Sequence, residues 1–80
     1  MNFSQALESC KSGQRIARSG WNGKGMYLLF VPEGWSLPSG MVSNFERHLP
    51  WIGMRTAQGD FVPWLASQTD ILADDWEVAK

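Results

Sequence analysis

The sequence is poor in the residues that most often build a catalytic or metal centre. Among its 80 residues it has a single cysteine, Cys10, and a single histidine, His48. One cysteine excludes an intramolecular disulfide and a cluster of cysteine metal ligands. His48 has no second histidine or cysteine partner, and neither an HExxH nor a GxSxG motif occurs. We therefore predict no catalytic residues, no metal site and no cofactor.

The sequence also lacks an excess of positive charge. Seven lysines and arginines stand against eight aspartates and glutamates, which argues against binding to a DNA or RNA polymer. A small anionic ligand needs only one or two local cations and stays compatible with this balance. We recognise no secretory signal, transmembrane span or lipidation motif, and so expect no membrane contact and a cytosolic location.

Aromatic residues, by contrast, are abundant: five Trp, four Phe and one Tyr. A domain of this size buries only about 60–65% of its unfolded-chain surface, so its core is small. Some of the aromatic side chains are therefore expected to cover a ligand or a neighbouring subunit. We predict a single domain over residues 1–80 that forms a homo-oligomer.

The residue pattern predicts an α+β fold with a small antiparallel sheet. Phe3, Ala6, Leu7 and Cys10 form one apolar face of a helix over residues 3–12, capped by Asn2, with Cys10 as a small buried hydrophobe. Residues 32–50 are irregular, with at most a turn of helix over 42–47. Strands are predicted at 15–18, 26–31, 51–56, 61–64 and 76–78, and a short second helix at 68–72.

The stretch SGWNGKGM, residues 19–26, has two interpretations. Asn22 and Gly23 are typical of a two-residue hairpin turn between the strands that carry Ile16 and Leu28. A turn alone does not explain the neighbouring residues Trp21, Lys24 and Gly25. Glycine-rich turn amides can bind an anion, and a lysine suits phosphate. An indole can stack on a base, which is worth ~1–3 kcal/mol.

The stretch PWLASQTDILADDW, residues 63–76, has similar ingredients. Ser67, Gln68 and Thr69 are donors at a predicted helix start, with Trp64 and Trp76 on either side. Alternatively, Ser67 only caps the helix and both tryptophans belong to the core. The acids Asp70, Asp74 and Asp75 are explained most simply as a helix N-terminal acid and two solvated turn residues.

The segments NFSQALESCKSGQRIARSGWNGKGMYL and MRTAQGDFVPWLASQTDILADDWEV together resemble a small family of phage and prophage domains. Its characterised members are the second type of Thoeris anti-defence protein. The specific motifs are GWNGKGM and PWLASQTDxLAxDWE, and the resemblance covers all of the chain except residues 32–50.

This resemblance implies a non-enzymatic sponge in the cytoplasm of an infected bacterium. Such proteins sequester the glycocyclic ADP-ribose made by TIR-domain Thoeris proteins, and some also bind cyclic dinucleotides of CBASS defence at a separate site. The family implies a homotetramer with ligand pockets between subunits. Two alternatives stay open: an enzyme that cleaves the signal through His48, Asp74 and Asp75, or a protein–protein inhibitor that uses Trp35 and Phe45 as a contact patch.

The chemistry of the ligand distributes roles among the residues of the two motifs. Adenine needs a flat apolar partner, ribose hydroxyls need acceptors and donors, and pyrophosphate needs N–H groups and a cation such as Lys24 or an arginine. Trp21 or Trp64 suits the first role, and Asn22, Gln68 and Asp70 or Asp75 suit the second. The predicted ligand-binding residues are Trp21, Asn22, Gly23, Lys24, Gly25, Met26, Trp64, Ser67, Gln68, Thr69, Asp70, Asp75 and Trp76.

Overall fold

The computed structural model of the chain describes residues 1–22, 24–36 and 46–79. It confirms the α+β class with antiparallel strand pairing. None of the described helices is long and apolar enough to cross a membrane. The elements in chain order are α1 (Phe3–Lys11), β1 (Ile16–Arg18), β2 (Tyr27–Val31), β3 (Gly34–Ser36), β4 (Glu46–His48), β5 (Trp51–Arg55), β6 (Phe61–Pro63), α2 (Gln68–Ile71) and β7 (Trp76–Val78).

Five of the strands form one sheet in the order β6-β5-β2-β1-β7. The central position of β2 agrees with its sequence, YLLFV, which is apolar on both faces. Strand β6 lies at the edge and carries Pro63, which an edge position tolerates because proline has no N–H to donate to a neighbouring strand. Strands β1 and β7, far apart in the chain, are neighbours at the other edge.

Helix α1 begins at the predicted cap, Asn2, which forms a capping box with Gln5. Asn2 Oδ1 accepts from the Gln5 N–H at 2.9 Å, and the Asn2 N–H donates to Gln5 Oε1 at 3.0 Å. Gly13, with a φ of 101°, follows the end of the helix. Ala6 and Cys10 are fully buried, as predicted, and burial raises the pKa of the Cys10 thiol. Leu7 is only partly buried.

The core lies between α1 and one face of the sheet. Its fully or almost fully buried members are Ala6, Cys10, Ile16, Leu28 and Trp76. Ile16 lies opposite Leu28 in the β1–β2 pair, and Leu28 lies opposite Met54 in the β2–β5 pair, so these side chains share the face that α1 covers. Partly buried aromatic side chains, among them Phe3, Trp21 and Trp64, pack around this cluster.

Residues 32–50 differ from the prediction. Strands β3 and β4 form a separate two-stranded sheet, with Gly34 opposite His48. The predicted turn of helix over 42–47 is therefore wrong at Glu46 and Arg47, which are extended, and residues 42–45 lie outside the described part of the chain. The pairing satisfies backbone hydrogen-bonding groups across the two strands. The sequence did not predict it, because this proline- and glycine-rich segment lacks the alternation of apolar and polar residues that marks a strand.

The connection between β1 and β2 is also longer than a two-residue turn. The two strands do pair with each other, in a register that places Ile16 opposite Leu28, but β1 ends at Arg18 and β2 begins only at Tyr27. A first turn closes early, where the Trp21 N–H donates to the Arg18 carbonyl at 3.2 Å. The hairpin interpretation based on Asn22-Gly23 is thus wrong in its loop length, and Gly23 itself lies outside the described residues. We call residues 19–26 the glycine loop.

Candidate functional site

Several hydrogen bonds join the glycine loop to the segment 64–76, which we call the second segment, and one of them involves the Trp21 side chain. The Trp21 Nε1–H donates to Asp70 Oδ1 at 3.2 Å. The Trp21 ring also stands edge-on against Trp76, with ring centroids 5.4 Å apart and an interplanar angle of 78°. The two sequence motifs are therefore brought together on one side of the molecule, with the half-buried Trp21 at their junction.

Arg18, which directly precedes the glycine loop, binds two aspartates of the second segment. Its Nη1 lies 2.7 Å from Asp70 Oδ1, and its Nε lies 2.7 Å from Asp75 Oδ1. Only 18% of the Arg18 side chain is exposed. Asp75 also holds the loop directly, because its Oδ2 accepts from the Gly20 N–H at 2.9 Å.

The carboxylates of Asp70 and Asp75 differ in which of their oxygens accept the hydrogen bonds that join the two segments. Asp75 uses both of its oxygens, Oδ1 for Arg18 and Oδ2 for Gly20. Asp70 accepts from both Arg18 and Trp21 through Oδ1 alone. Oδ2 of Asp70 makes none of the bonds that join the two segments, so Asp70 is better suited than Asp75 to accept a hydrogen bond from a ligand.

The remaining predicted residues of the second segment fall into structural and exposed positions. Trp76 is 2% exposed and belongs to the core. Trp64 is half-buried against Phe3 and Trp76, with ring centroids 5.7 and 6.1 Å apart. The Ser67 hydroxyl caps α2 by accepting from the Asp70 N–H at 3.1 Å. Two further candidates, Gln68 and Thr69, are exposed at the start of α2.

The remaining part of the glycine loop borders a groove instead. Lys24 and Asn22 are exposed, and Gly25, with a φ of 76°, accepts at its carbonyl from Arg55 Nη1 at 3.3 Å. A groove of about 450 Å³ lies beside the loop, and none of its lining residues belongs to the second segment. Its lining residues are Ala17, Arg18, Ser19, Gly25, Met26, Tyr27, Glu77, Val78 and Ala79.

The groups suggested for an enzyme are not assembled in the described part of the chain. His48 lies in β4, in the two-stranded sheet, and its Nδ1 is 3.3 Å from the Leu49 carbonyl. Asp74 and Asp75 precede β7 of the five-stranded sheet, and Asp75 is committed to Arg18. No hydrogen bond between described residues joins His48 to either aspartate.

Comparison with known proteins settles the family. The family model of the Thoeris anti-defense 2-like domain matches residues 1–79. The chain belongs to the Thoeris anti-defense 2-like family. It is also 39% identical over 86 aligned residues to Thoeris anti-defense 2 of Bacillus phage SP01, and the alignment covers 100% of this chain and 96% of that protein. The match includes residues 32–50, which the resemblance in the two motifs had left out.

In this Thoeris anti-defense 2-like chain, the ion pairs shift the pKa values of Arg18, Asp70 and Asp75. The hydrogen bond from Arg18 lowers the pKa of Asp75, and the Gly20 N–H adds to the effect against the opposing influence of burial. For Asp70, burial acts to raise the pKa, but hydrogen bonds from Arg18, Trp21 and Ser67 together outweigh it and the pKa is lowered. Hydrogen bonds to Asp75 and Asp70 raise the pKa of Arg18. The network is fully ionised at neutral pH.

These shifts predict a loss of stability in acid. Because both carboxyls have folded-state pKa values below the unfolded-state value of about 3.9, their contribution is complete above roughly that pH and is lost as the pH falls through the lowered folded-state pKa. The melting temperature of the native chain should therefore fall more between pH 7 and pH 3 than that of Asp75→Asn. Asp60→Asn, at an exposed turn, is the control and should behave like the native chain. Equal losses in native chain and Asp75→Asn would contradict the assignment.

Sequence reasoning missed Arg18 as a member of the site. It asked for "an arginine" as a phosphate cation but named none. A signal was present, because Arg18 directly precedes the glycine loop and two of the three clustered acids lie in the second motif. What was lacking was the β1–β7 pairing, which places Arg18 opposite Trp76 and hence beside Asp75.

Proposed function

We propose that this chain is a phage anti-defence protein that binds and sequesters the glycocyclic ADP-ribose made by TIR-domain Thoeris proteins, without cleaving it. Membership of the Thoeris anti-defense 2-like family supports the anti-defence role. The observation that carries the proposal is the hydrogen bond between Trp21 and Asp70, because it unites the two motifs that hold the candidate binding residues.

The aromatic and acidic groups at this junction suit the nucleoside part of the signal. Trp21 is half-buried, and its contact with Trp76 is edge-on, so the indole is anchored without a stacked partner from Trp76. A base stacked on such a ring gains ~1–3 kcal/mol. The Asp70 carboxylate, whose Oδ1 accepts from the indole N–H, offers its second oxygen as an acceptor for a ribose hydroxyl. The Ser67 hydroxyl, which accepts from the Asp70 N–H, is a further polar group nearby. The exposed amide of Gln68 adds a further donor and acceptor.

The glycine loop suits the pyrophosphate. Lys24 is exposed and supplies a point charge, and the loop amides from Lys24 to Met26 supply N–H donors. The exposed Thr69 and Asn22 contribute polar groups from the two sides. Arg18 is excluded as a free cation, because its Nε and Nη1 already hold two carboxylates.

A sponge must bind tightly, which favours an oligomeric site. Nanomolar affinity corresponds to about −12 kcal/mol, more than one exposed loop supplies. The sheet face opposite α1 offers a surface for a second copy. Phe61 on that face is 46% exposed, its ring lies against Gly53, and Trp51 stands 5.6 Å away, centroid to centroid. We propose that copies of the chain pack through this face into a homotetramer and complete the ligand pockets between subunits.

This assembly predicts a change of mass when the face is charged. The native chain should elute as a tetramer in size-exclusion chromatography with light scattering. Phe61→Lys should lower the assembly state, because a lysine replaces an apolar contact at the centre of the proposed interface. Leu65→Lys, at a 92% exposed position, is the matched control and should keep the native mass. A monomeric native chain would contradict the assembly.

The groove beside the glycine loop favours a second ligand class. Its volume of about 450 Å³ falls in the range typical of small-molecule sites. Neither Trp21 nor Asp70 lines it, although Gly25 and Met26 belong both to the groove and to the loop proposed for the pyrophosphate. We propose that cyclic dinucleotides of CBASS defence, if bound, occupy this separate position. A competition titration checks this proposal: a cyclic dinucleotide bound at a separate site should not displace glycocyclic ADP-ribose from the chain.

The proposed place of action is the cytoplasm of the infected bacterium, where the signal is produced, and the proposed partners are the signal and other copies of the chain. The test is a calorimetric titration of the full chain with glycocyclic ADP-ribose, followed by chromatography of a mixture with excess signal. Saturable binding with all signal intact supports the sponge. Cleavage of many equivalents per subunit would show an enzyme. No heat of binding and no protection against unfolding would favour the protein–protein inhibitor. The two residues suggested for its contact patch, Phe45 and the side chain of Trp35, lie outside the described part of the chain.

A further inference from the structure

Arg18 stands at the point where the glycine loop leaves the sheet. It is the last residue of β1, and its register partner is Trp76 of β7. The Ser19 N–H, one residue later, donates to the Asp75 carbonyl at 3.0 Å. The sheet thus delivers the Arg18 guanidinium to the second segment before the loop begins.

The guanidinium binds two carboxylates that come from different parts of the second segment. Asp70 is in α2 and Asp75 directly precedes β7. Both contacts are 2.7 Å long, and the side chains of Arg18 and Asp70 are each only 18% exposed. The planar fork of an arginine can serve two acceptors at once with fixed geometry, which the single ammonium of a lysine does not reproduce.

Each carboxylate in turn fixes one part of the loop. Asp75 accepts from the Gly20 N–H at 2.9 Å, and a Cβ added at Gly20 would lie only 2.7 Å from Asp75 Oδ2, so the loop backbone sits directly against the carboxylate. Asp70 accepts from the Trp21 indole at 3.2 Å. The chain of contacts therefore runs from Arg18 through two aspartates to the loop backbone and to the Trp21 ring.

We propose that Arg18 is a positioning residue that holds the Trp21 ring and the second segment in their binding geometry without touching the ligand. The inference rests on the proposed function in taking Trp21 as a ligand contact. A site fixed before the ligand arrives does not spend binding energy on ordering its side chains. Loss of the fork leaves Asp70 free to rotate and Trp21 without a fixed hydrogen-bond acceptor.

The first readout needs no ligand. The indole N–H groups of the five tryptophans give separate signals in a ¹⁵N-correlated NMR spectrum of the full chain, and the Trp21 signal is the one that disappears in Trp21→Phe. Arg18→Lys should shift the Trp21 signal and accelerate its exchange with water, while the Trp51 signal stays in place. Arg47→Lys, which changes another ion-paired arginine, is the matched control and should leave the Trp21 signal unchanged. If Arg18→Lys does not fold, Asp75→Asn, which weakens the other arm of the Arg18 fork and leaves the bond between the Trp21 indole and Asp70 unaltered, gives the same readout.

The second readout is the affinity for glycocyclic ADP-ribose, which Arg18→Lys should lower about tenfold through loss of geometry rather than of charge. An unmoved Trp21 signal overturns the proposal whether affinity is kept or lost, because a loss would then mean that Arg18 contacts the ligand. A moved signal with full affinity overturns it as well. If the native chain binds no signal molecule at all, the proposed function fails, whereas the NMR result still decides whether Arg18 positions Trp21.

Discussion

Trp21→Ala is expected to lower the affinity for glycocyclic ADP-ribose by a factor of about 5 to 150. This range is the ~1–3 kcal/mol of one base stacked on an aromatic ring, converted to a ratio of dissociation constants. The structure adds a reason for the upper end, because the same substitution removes the indole donor to Asp70 and so loosens the junction of the two motifs. Calorimetric titration of the native and variant chains gives the ratio directly.

Trp21→Phe is the matched control for that experiment. Phenylalanine keeps a ring for stacking but lacks the Nε1–H that reaches Asp70. Its affinity should therefore fall between those of the native chain and the alanine variant. Unchanged affinity in Trp21→Ala, with the variant folded, would remove Trp21 from the binding site.

The second large effect concerns the fold. Leu28→Ala should lower the free energy of unfolding by ~2–5 kcal/mol, because the removed side chain is fully buried at the centre of the sheet and leaves a cavity between Ile16 and Met54. For a small domain this is a large fraction of total stability. Urea unfolding at one fixed protein concentration measures it, since assembly couples stability to concentration.

Leu72→Ala provides the comparison. Leu72 is 77% exposed at the end of α2, so its truncation should change the free energy of unfolding by less than about 0.5 kcal/mol. Similar losses in the two variants would mean that the buried cluster around Leu28 is not the main source of stability.

The parts of the fold that sequence predicted are those with a local cause. The cap at Asn2 and the apolar spacing that buries Ala6 and Cys10 both act within a few residues. Strand β2 was recognisable for the same reason, since its run YLLFV is apolar on both faces. The β3–β4 pair was not predictable, because its pairing depends on contacts across a segment with no alternation in its sequence.

The candidate site shows the same division. Ser67 as a helix cap follows from the local pattern SQTD and is confirmed by its bond to the Asp70 N–H. The different burial of Trp76 and Trp64 could not be predicted from the sequence. It depends on the β1–β7 pairing, which places Trp76 in the core while Trp64 lies at the border of the core. The contact of Asp75 with Arg18 depends on the same β1–β7 pairing. Its sequence context alone predicts a solvated turn residue.

The measurement that tests the central claim most directly is a sequestration-and-release assay. The purified chain is incubated with glycocyclic ADP-ribose and filtered, and the filtrate is assayed for free signal. The retained protein is then heated and the released material is separated by chromatography. Our account predicts a filtrate depleted of signal and the release of intact glycocyclic ADP-ribose on heating. Release of a cleaved product, or a filtrate that keeps all of its signal, would contradict it.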